Sequence, residues 1–425
     1  MIQVLATSWA LLLGLLLLMV GNGLQGTVLG VRGALEGFST GQMSVIMSAY
    51  FVGFLGGSRL TPEMIRRVGH VRVFAALASF VSAALILFPT VVQPWAWVLF
   101  RVIVGFCFSG IYVTAESWLN NSATNETRGK ALSLYMIVQT LGIIAAQGIV
   151  AIGEPSGFIL FIVPSVLVSI SFAPILLSVS PTPPFETTKR MTLRELYAIS
   201  PLGCVSIFLM GGVFSTQFGM AAVYGAMAGL SVGQISALVA AIYAGALALQ
   251  FPIGWISDRM DRRVLIMVVA VLGGAAALFG AIMANTYVII LGAAALTGGA
   301  ANPLYSLIVA HANDHLETDD MASASAGMLF LNGVGAILGP LISGWLMGVV
   351  GPSGFWVVIA GFMFAVAGYA AWRMAQRPSV AVEDTASYAP ILPSATPVAM
   401  EVAQEWAIDQ AETDTDDQGA SPAQQ

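Results

Sequence analysis

Polar and apolar positions along these 425 residues fall into long blocks. Apolar runs of 18 residues or more, none with more than two charges, recur twelve times, at approximately 8–31, 42–60, 73–92, 95–118, 129–151, 157–179, 202–227, 234–256, 264–283, 286–310, 322–349 and 354–375. Each is long enough to cross a hydrocarbon core of roughly 30 Å as a helix. No basic segment precedes the first run and no small-residue cleavage site follows it, so it reads as a retained span, not a signal peptide. The pattern predicts an all-α membrane protein with twelve transmembrane helices.

The polar blocks between the runs set the orientation. Arg59, Arg66, Arg67 and Arg72 flank the loop after span 2, and Arg128 and Lys130 follow span 4. Lys189, Arg190 and Arg194 follow span 6, Arg259, Arg262 and Arg263 follow span 8, and Arg373 and Arg377 follow span 12. Fourteen of the sixteen Lys and Arg therefore share one side, leaving Arg32 and Arg101. The positive-inside rule makes that side cytoplasmic and places both termini there.

A shift of 192 superposes the two halves of the chain. Gln25 meets Gln217, Gly33 meets Gly225, Gly53 meets Gly245 and Arg67 meets Arg259. At 193, Gly105 meets Gly298, Tyr112 meets Tyr305, Gln139 faces Asn332 and Gly142 meets Gly335. An even number of spans per half makes the two six-helix repeats parallel, related by an axis along the membrane normal. The predicted organisation is an N-terminal bundle (1–179), a cytoplasmic connector (180–200), a C-terminal bundle (201–376) and an acidic, disordered cytoplasmic tail (377–425). Within the connector, Thr192 and Glu195 form a T-x-x-E capping box for a short surface helix.

Composition refines this picture in two places. Charged residues make up only 9% of the chain, against about 25% in a soluble domain. The formal charge of −6 belongs to the tail, whose nine acids after Arg377 leave 16 bases against 13 acids in the remainder. That tail reads as disordered, with a short helix possible over 398–412. Cys107 and Cys204 lie in or beside spans and read as buried thiols.

Two octapeptides, "GFSTGQMS" (37–44) and "GLSVGQIS" (229–236), match the G-x-S-x-G pattern of serine hydrolases. They also read as helix starts between spans 1 and 2 and between spans 7 and 8. Ser39 with Gln42, and Ser231 with Gln234, form S-x-x-Q capping boxes, while Gly37 and Gly229 can take the left-handed turn that ends the preceding helix. A hydrolase would need a histidine nearby, yet His70, His311 and His315 sit across the bilayer from both serines. Capping is the favoured reading, and no enzyme is expected.

The loop "GWISDRMDRR" (254–263) resembles the G-x-x-x-D-R-x-G-R-R loop of the major facilitator superfamily, which in that family follows spans 2 and 8. Gly254, Asp258, Arg259, Arg262 and Arg263 match, with Asp261 in place of the glycine. In the first half "RRVGHVR" (66–72) keeps Arg67, Gly69 and Arg72 but has Arg66 where the family has its aspartate. "RVIVG" (101–105) is similar to the span 4 motif of proton-coupled members. The family's antiporter motif is absent from span 5, and a related "GAILGP" (335–340) stands in span 11. "AESWLN" (115–120) and "AHAND" (310–314) resemble a bacterial YcaD-like subgroup. The resemblance covers residues 1 to about 377. It implies alternating access about a midplane site lined by spans 1, 4, 7 and 10, with the two charged loops gating the cytoplasmic side.

Ionisable residues at membrane depth are functional candidates. Arg101 is the only charge from Val73 to Thr114, and Glu116 lies roughly 22 Å further along the same helix, so the two cannot pair. The resemblance gives Arg101 a coupling or substrate-binding role. Glu116 is expected at the cytoplasmic mouth, bonded to a loop arginine or carrying a transported proton. Arg32 and Glu36 have the i,i+4 spacing of a local pair. Asn22, Gln25, Gln139, Gln217, Asn302, Tyr305 and Asn332 cluster at middle depth as ligand contacts or helix–helix hydrogen bonds. His311, Asp314 and His315 have metal-ligand spacing, but their loop reads better as a solvated helix end, and no metal is expected. No Walker loop, H-E-x-x-H or C-x-x-C is present, which argues against an ATP-driven pump, a zinc protease and a thiol redox enzyme.

The reading is a secondary active, proton-coupled transporter of a small organic solute in a bacterial inner membrane. It is expected to need no cofactor, to work as a monomer in the lipid bilayer with its solute and protons, and to bind no nucleic acid. The alternatives are a facilitated uniporter and a transport-inactive sensor or scaffold with the same fold.

Overall fold

The structure is a computed structural model that describes residues 2–122, 125–173, 191–283, 286–316, 318–376, 385, 388–396 and 398–400. The described residues form helices and no strands. In the N-terminal half these are α1 (Ile2–Leu35), α2 (Thr40–Val68), α3 (His70–Thr90), α4 (Pro94–Ser122), α5 (Asn125–Ile152) and α6 (Ile159–Ser171). After a short surface helix, Leu193–Ile199, come α7 (Pro201–Met227), α8 (Val232–Ser257), α9 (Arg262–Ile282), α10 (Tyr287–Asn313), α11 (Thr318–Val350) and α12 (Gly354–Met374). Eleven of the described helices are long and apolar enough to cross a membrane. The shorter α6 occupies the sixth expected span, whose continuation from 174 lies outside the described residues.

Helix starts follow the sequence chemistry. Ser39 and Ser231 each accept the N3 backbone N–H, from Gln42 and Gln234, and each glutamine side chain returns the bond to the cap's own N–H. The preceding Gly37 and Gly229 have φ of 74° and 73°, a left-handed turn that suits residues without a Cβ. The serines of both G-x-S-x-G matches are thus helix caps. Thr192 and Glu195 close the expected capping box at the connector helix. Cys107 and Cys204 are free and buried.

The two halves repeat one packing plan. In the first, α2 packs on α4, α1 on α5 and α6, and α3 on α4 and α6; in the second, α8 packs on α10, α7 on α11 and α12, and α9 on α10 and α12. The contacts are made at glycine. A Cβ on Gly105 would stand 1.9 Å from Tyr50 O, and one on its repeat mate Gly298 would stand 2.1 Å from Ile242 O. Gly53 against Val102 O and Gly245 against Ala295 O repeat the device at 2.0 and 1.9 Å. Small residues let backbones meet in this way where lipid supplies no hydrophobic drive between helices.

The halves join through α2–α11, α5–α8 and α1–α7. Those contacts concentrate at the end away from the basic loops. There Gly344 lies against Ser44 and Thr40, Gly30 against Ala222, and Ser48 Oγ donates to Ile337 O at 2.7 Å. At the basic end, residues 388–396 and 398–400 pass between the halves, with Tyr388, Ile391, Thr396 and Met400 buried. This part of the tail therefore departs from the disorder expected of 377–425. It is uncharged and apolar enough to leave water, unlike the acidic stretches on either side. The expected helix over 398–412 begins at 398, and residues from 401 lie outside the described residues.

Gly105→Val and Gly298→Val should each lower the melting temperature of the purified protein, since overpacking costs typically 1–3 kcal/mol even without a backbone clash. Gly148 has open space around it, so Gly148→Ala should leave the melting temperature unchanged or raised, its helix propensity improving by about 1 kcal/mol. Scanning fluorimetry of the three variants checks the contrast.

Candidate functional site

A cavity of about 710 Å³ lies between the halves at middle depth. Its wall follows the internal repeat. Gln139, Thr140 and Ile143 on α5 face Asn332, Gly333 and Ala336 on α11, each pair 193 positions apart. Asn22 with Phe214, and Phe51 with Tyr243, are lining pairs 192 apart. Asn302 and Tyr112 complete the polar lining, and Leu392, Pro393 and Ser394 of the tail reach the wall from the basic end.

The far end of the cavity is aromatic. Phe214 and Phe218 stack with centroids 5.8 Å apart, and Tyr50 and Phe51 of the other half approach Phe218 at 5.6 and 6.1 Å. A π turn in α7, Thr216–Met220, carries Phe218, and Phe214 stands just before it. A π turn inserts extra backbone into a helix and re-aims the side chains around it.

Behind this aromatic wall lies Arg101, fully buried. Its guanidinium sits 4.7 Å from the centre of the Tyr50 ring and donates to Gln25 Oε1 at 2.8 Å. Gln25 Nε2 donates to Asn22 Oδ1 at 3.1 Å, and Asn22 Nδ2 donates to the Tyr112 hydroxyl at 2.9 Å. Every amide in this chain points its oxygen toward the cation and its N–H₂ toward the cavity, so each bond polarises the next. Tyr112 receives that polarisation at the cavity wall, where its hydroxyl donates to the weak acceptor Met19 Sδ at 3.5 Å, a contact that a stronger acceptor on a ligand can replace. Arg101 Nε has no partner, and among the described residues no carboxylate pairs with the guanidinium. The site holds an uncompensated positive charge one polar relay away from the cavity.

Of the mid-depth residues expected as ligand contacts, Asn22, Gln139, Asn302 and Asn332 line the cavity, while Gln25, Arg101, Gln217 and Tyr305 do not. Gln25 acts within the relay. Gln217 Nε2 and the Tyr305 hydroxyl are buried without a hydrogen-bond partner. The cavity also takes more helices than the expected 1, 4, 7 and 10, because α2, α5, α8 and α11 contribute to its wall. The aromatic residues Tyr50, Phe51, Phe54, Phe214, Phe218 and Tyr243 were not among the expected contacts. The 192-residue spacing of Phe51 and Tyr243 was the available signal.

Glu116 is buried at the basic end, and its partners differ from the expected loop arginine. The Tyr135 hydroxyl donates to it at 2.6 Å, the Thr396 and Ala399 backbone N–H groups donate at 3.3 Å, and the Thr396 hydroxyl donates as well. Tyr135 lies on α5 and reaches the carboxylate that α4 presents.

The loop after α8 is knit into its own half. Arg262 is buried, pairs with Asp314 at the end of α10 and lies 3.6 Å from Asp258. Arg263 pairs with Asp261 at 2.8 Å, and Arg259 lies over the Trp255 ring at 4.1 Å. Burial raises the Asp258 carboxyl above its ordinary value against the pull of the Tyr388 N–H and Arg262. Burial also works upward at Asp261, but the bonds from Arg263 prevail and hold it below the usual carboxylate range. The first-half loop is plainer: Glu63 pairs with Arg66 and Arg67 on the surface, Gly69 turns with φ of 84°, and Arg72 is exposed. The end of α10 is less solvated than its composition suggests. His311 is buried, its carbonyl is 2.9 Å from His315 Nδ1, and Asp314 is spent on Arg262. Among the described residues no group of three or more His, Cys, Asp or Glu gathers as a metal site. Arg32 and Glu36 form their expected pair at 2.6 Å.

Gln25→Leu should lower the melting temperature, because it strips a buried guanidinium of its amide acceptor and a hydrogen bond to a charged group contributes roughly 1.5–3 kcal/mol. Gln217→Leu, at the repeat-related position, removes a buried N–H₂ that has no partner and should leave stability unchanged or improved. Thermal denaturation of the two variants side by side reads this asymmetry.

The model of the Major Facilitator Superfamily matches residues 11–231 and 202–396. An MFS-type transporter named YcaD from Salmonella heidelberg (strain SL476) is 27% identical over 361 residues, covering 83% of this chain and 92% of its own length. Its counterpart from Escherichia coli O45:K1 (strain S88 / ExPEC) is 29% identical over 362 residues, with the same coverage of 83% and 92%. Among solved structures, the nucleoside transporter NupG superposes with a TM-score of 0.71 at 16% identity, covering 87% of this chain and 99% of that one. A bacterial homolog of the human lysosomal transporter Spinster, in an inward-facing and occupied conformation, gives 0.70 at 14% identity, covering 89% and 98%.

Proposed function

The chain belongs to the Major Facilitator Superfamily, and from that premise we propose that it is a secondary active transporter of a small organic solute, working by alternating access. That it is a multi-pass membrane transporter follows from the family and its bacterial relatives. The finer reading rests on one observation: a buried, uncompensated Arg101 is wired through Gln25, Asn22 and Tyr112 to a cavity between two like halves. The relay favours a solute that brings an acceptor, above all an anionic one, to Tyr112. The aromatic wall and the amides of Gln139, Asn302 and Asn332 favour a flat or amphipathic body with hydrogen-bonding edges.

In this reading the two six-helix bundles rock about the midplane cavity. The contacts of α2 with α11 and α1 with α7 close the outer side, and the basic end faces the cytoplasm of a bacterial inner membrane. The loops after α2 and α8 would meet when the basic side closes, with Gly69 at the first turn and Asp258 at the end of α8. Arg101 and Glu116, ionisable groups at membrane depth, are the candidates for proton coupling. The protein would act as a monomer and need no cofactor.

A thermal-shift screen of the purified protein against organic acids, nucleosides, sugars, amino acids and amphipathic drugs should find stabilising compounds among solutes with an anionic or acceptor group. The strongest of these should accumulate in proteoliposomes under a pH gradient. Arg101→Ala should lower that accumulation at least tenfold while the protein still inserts, and undiminished flux would remove Arg101 from the mechanism. A compound that binds but is never exchanged across the vesicle would instead support a sensor.

A further inference from the structure

The tail returns to the bundle it hangs from. Residues 375–387 connect the end of α12 to Tyr388 and can span at most roughly 45 Å, enough to reach the mouth of the cavity from the same side. Tyr388 then docks on the second half. Its N–H donates to Asp258 Oδ1 at 2.9 Å, its hydroxyl accepts from Gln250 Nε2 at 2.8 Å, and its ring covers Gly254, where a Cβ would come within 2.5 Å. Ile391 forms two bonds with the Ser306 hydroxyl, at 3.0 and 2.9 Å, and Pro393 O accepts from Asn332 Nδ2 at 3.0 Å. Three residues further on, the chain crosses to the first half, where Thr396 and Ala399 bond to Glu116.

Two features of this segment set it apart from ordinary tail packing. It bridges the halves at the basic end, and its residues 392–394 form part of the cavity wall. Its composition also differs from that of its surroundings. Between Asp384 and Glu401 there is no charge, and prolines stand at 390, 393 and 397. Acids resume on both sides. An uncharged stretch can enter a cavity at membrane depth, and prolines limit the entropy lost on docking. The receiving groups fit as well: Gln250, Ser306, Asn332 and Glu116 are polar side chains on spans, and each bonds to the segment.

We propose that residues 388–396 and 398–400 are a built-in plug: a tethered peptide ligand of the cytoplasmic mouth that occludes the solute's route and ties the two halves in the state open to that side. The plug rests on the reading of the central cavity as the transport site. Because one half holds Tyr388, Ile391 and Pro393 and the other holds Thr396 and Ala399, the segment must withdraw before the halves can close over it. Its occupancy therefore competes with solute entering from the cytoplasm and sets how readily the protein leaves this state.

The test is maleimide labelling of Thr140→Cys, on the cavity wall, in membranes, with Cys107 and Cys204 replaced by alanine. Three chains are compared: the full tail, a chain stopped after Thr385, and a full-length chain carrying Tyr388→Ala with Thr396→Ala. An impermeant maleimide applied to the basic side should label the last two at least tenfold faster than the first. Equal rates in all three overturn the plug. As a second measurement that does not depend on truncation, Ser306→Cys with Ile391→Cys should cross-link within one chain under mild oxidation, and no cross-link also overturns it. Neither readout needs a solute. A protected cavity in a protein that transports nothing would refute the transport reading and leave the plug standing, and a transporter with an unprotected cavity would do the opposite.

Discussion

Backbone-to-backbone contact at glycine is the constraint on which the rest of this structure depends. Inside a bilayer, apolar side chains gain nothing by leaving lipid for protein, so close approach and dispersion must hold the helices together. At Gly53 and Gly105 in one half, and at Gly245 and Gly298 in the other, any Cβ would overlap a carbonyl of the facing helix. Gly211 and Gly335 press α7 on α11 in the same manner. Contacts this close have no slack for gradual deformation, which makes each half a stiff body. The rocking proposed for the transporter would then fall at the interface between the halves, where the cavity lies.

That stiffness explains where the polar groups can be afforded. Arg101, Tyr112 and Glu116 are successive landmarks on α4. The first lies behind the closed aromatic end, the second at the cavity and the third at the basic mouth. A buried guanidinium without a carboxylate is costly unless hydrogen bonds and a ring face share its charge. Gln25 and Tyr50 supply these, and both are held by the helices that the glycines clamp. The relay to Tyr112 works only because those side chains have no other arrangement available.

Much of the fold was legible because membrane spans leave a coarse signal. Long apolar runs, basic ends and a 192-residue repeat suffice to predict two like bundles, and the two capping boxes were readable residue by residue at Ser39 and Ser231. Legibility was poorer within each span. A helix buried on nearly all sides has no polar face from which its rotation can be inferred, so depth was predictable and azimuth was not. Asn22 and Asn332 turned toward the cavity while Gln217 and Tyr305, at the same depth, turned into the packing. The π turn in α7 adds a further rotation near Gln217 that no periodicity reveals. The aromatic wall escaped notice for a related reason, since Phe and Tyr in apolar runs look like lipid-facing or core residues until a cavity is seen beside them. A loop arginine was among the expected partners of Glu116 because the acidic tail reads as solvated, and the uncharged stretch that meets the carboxylate has no charge to mark it.

The tail shows how composition averaged over a long segment can hide its informative part. Nine acids after Arg377 make 377–425 read as one solvated stretch, yet the uncharged window from Thr385 to Met400 has the chemistry of a ligand. Tethering changes what such a ligand must achieve. A short flexible linker holds its end at an effective concentration on the order of millimolar, so a segment with only millimolar intrinsic affinity would occupy the mouth about half the time. A solute that binds the cavity in the micromolar range would displace it without difficulty, whereas a weaker one would not. Weak docking is therefore what a plug of this kind requires, and the observed contacts suit it: single hydrogen bonds to Gln250 and Asn332, a pair with Ser306, and a carboxylate at Glu116 that is left with Tyr135 when the segment departs. Acids resume on both sides of the window, at Asp384 and Glu401, and the cost of burying a carboxylate would limit how deep the segment can slide.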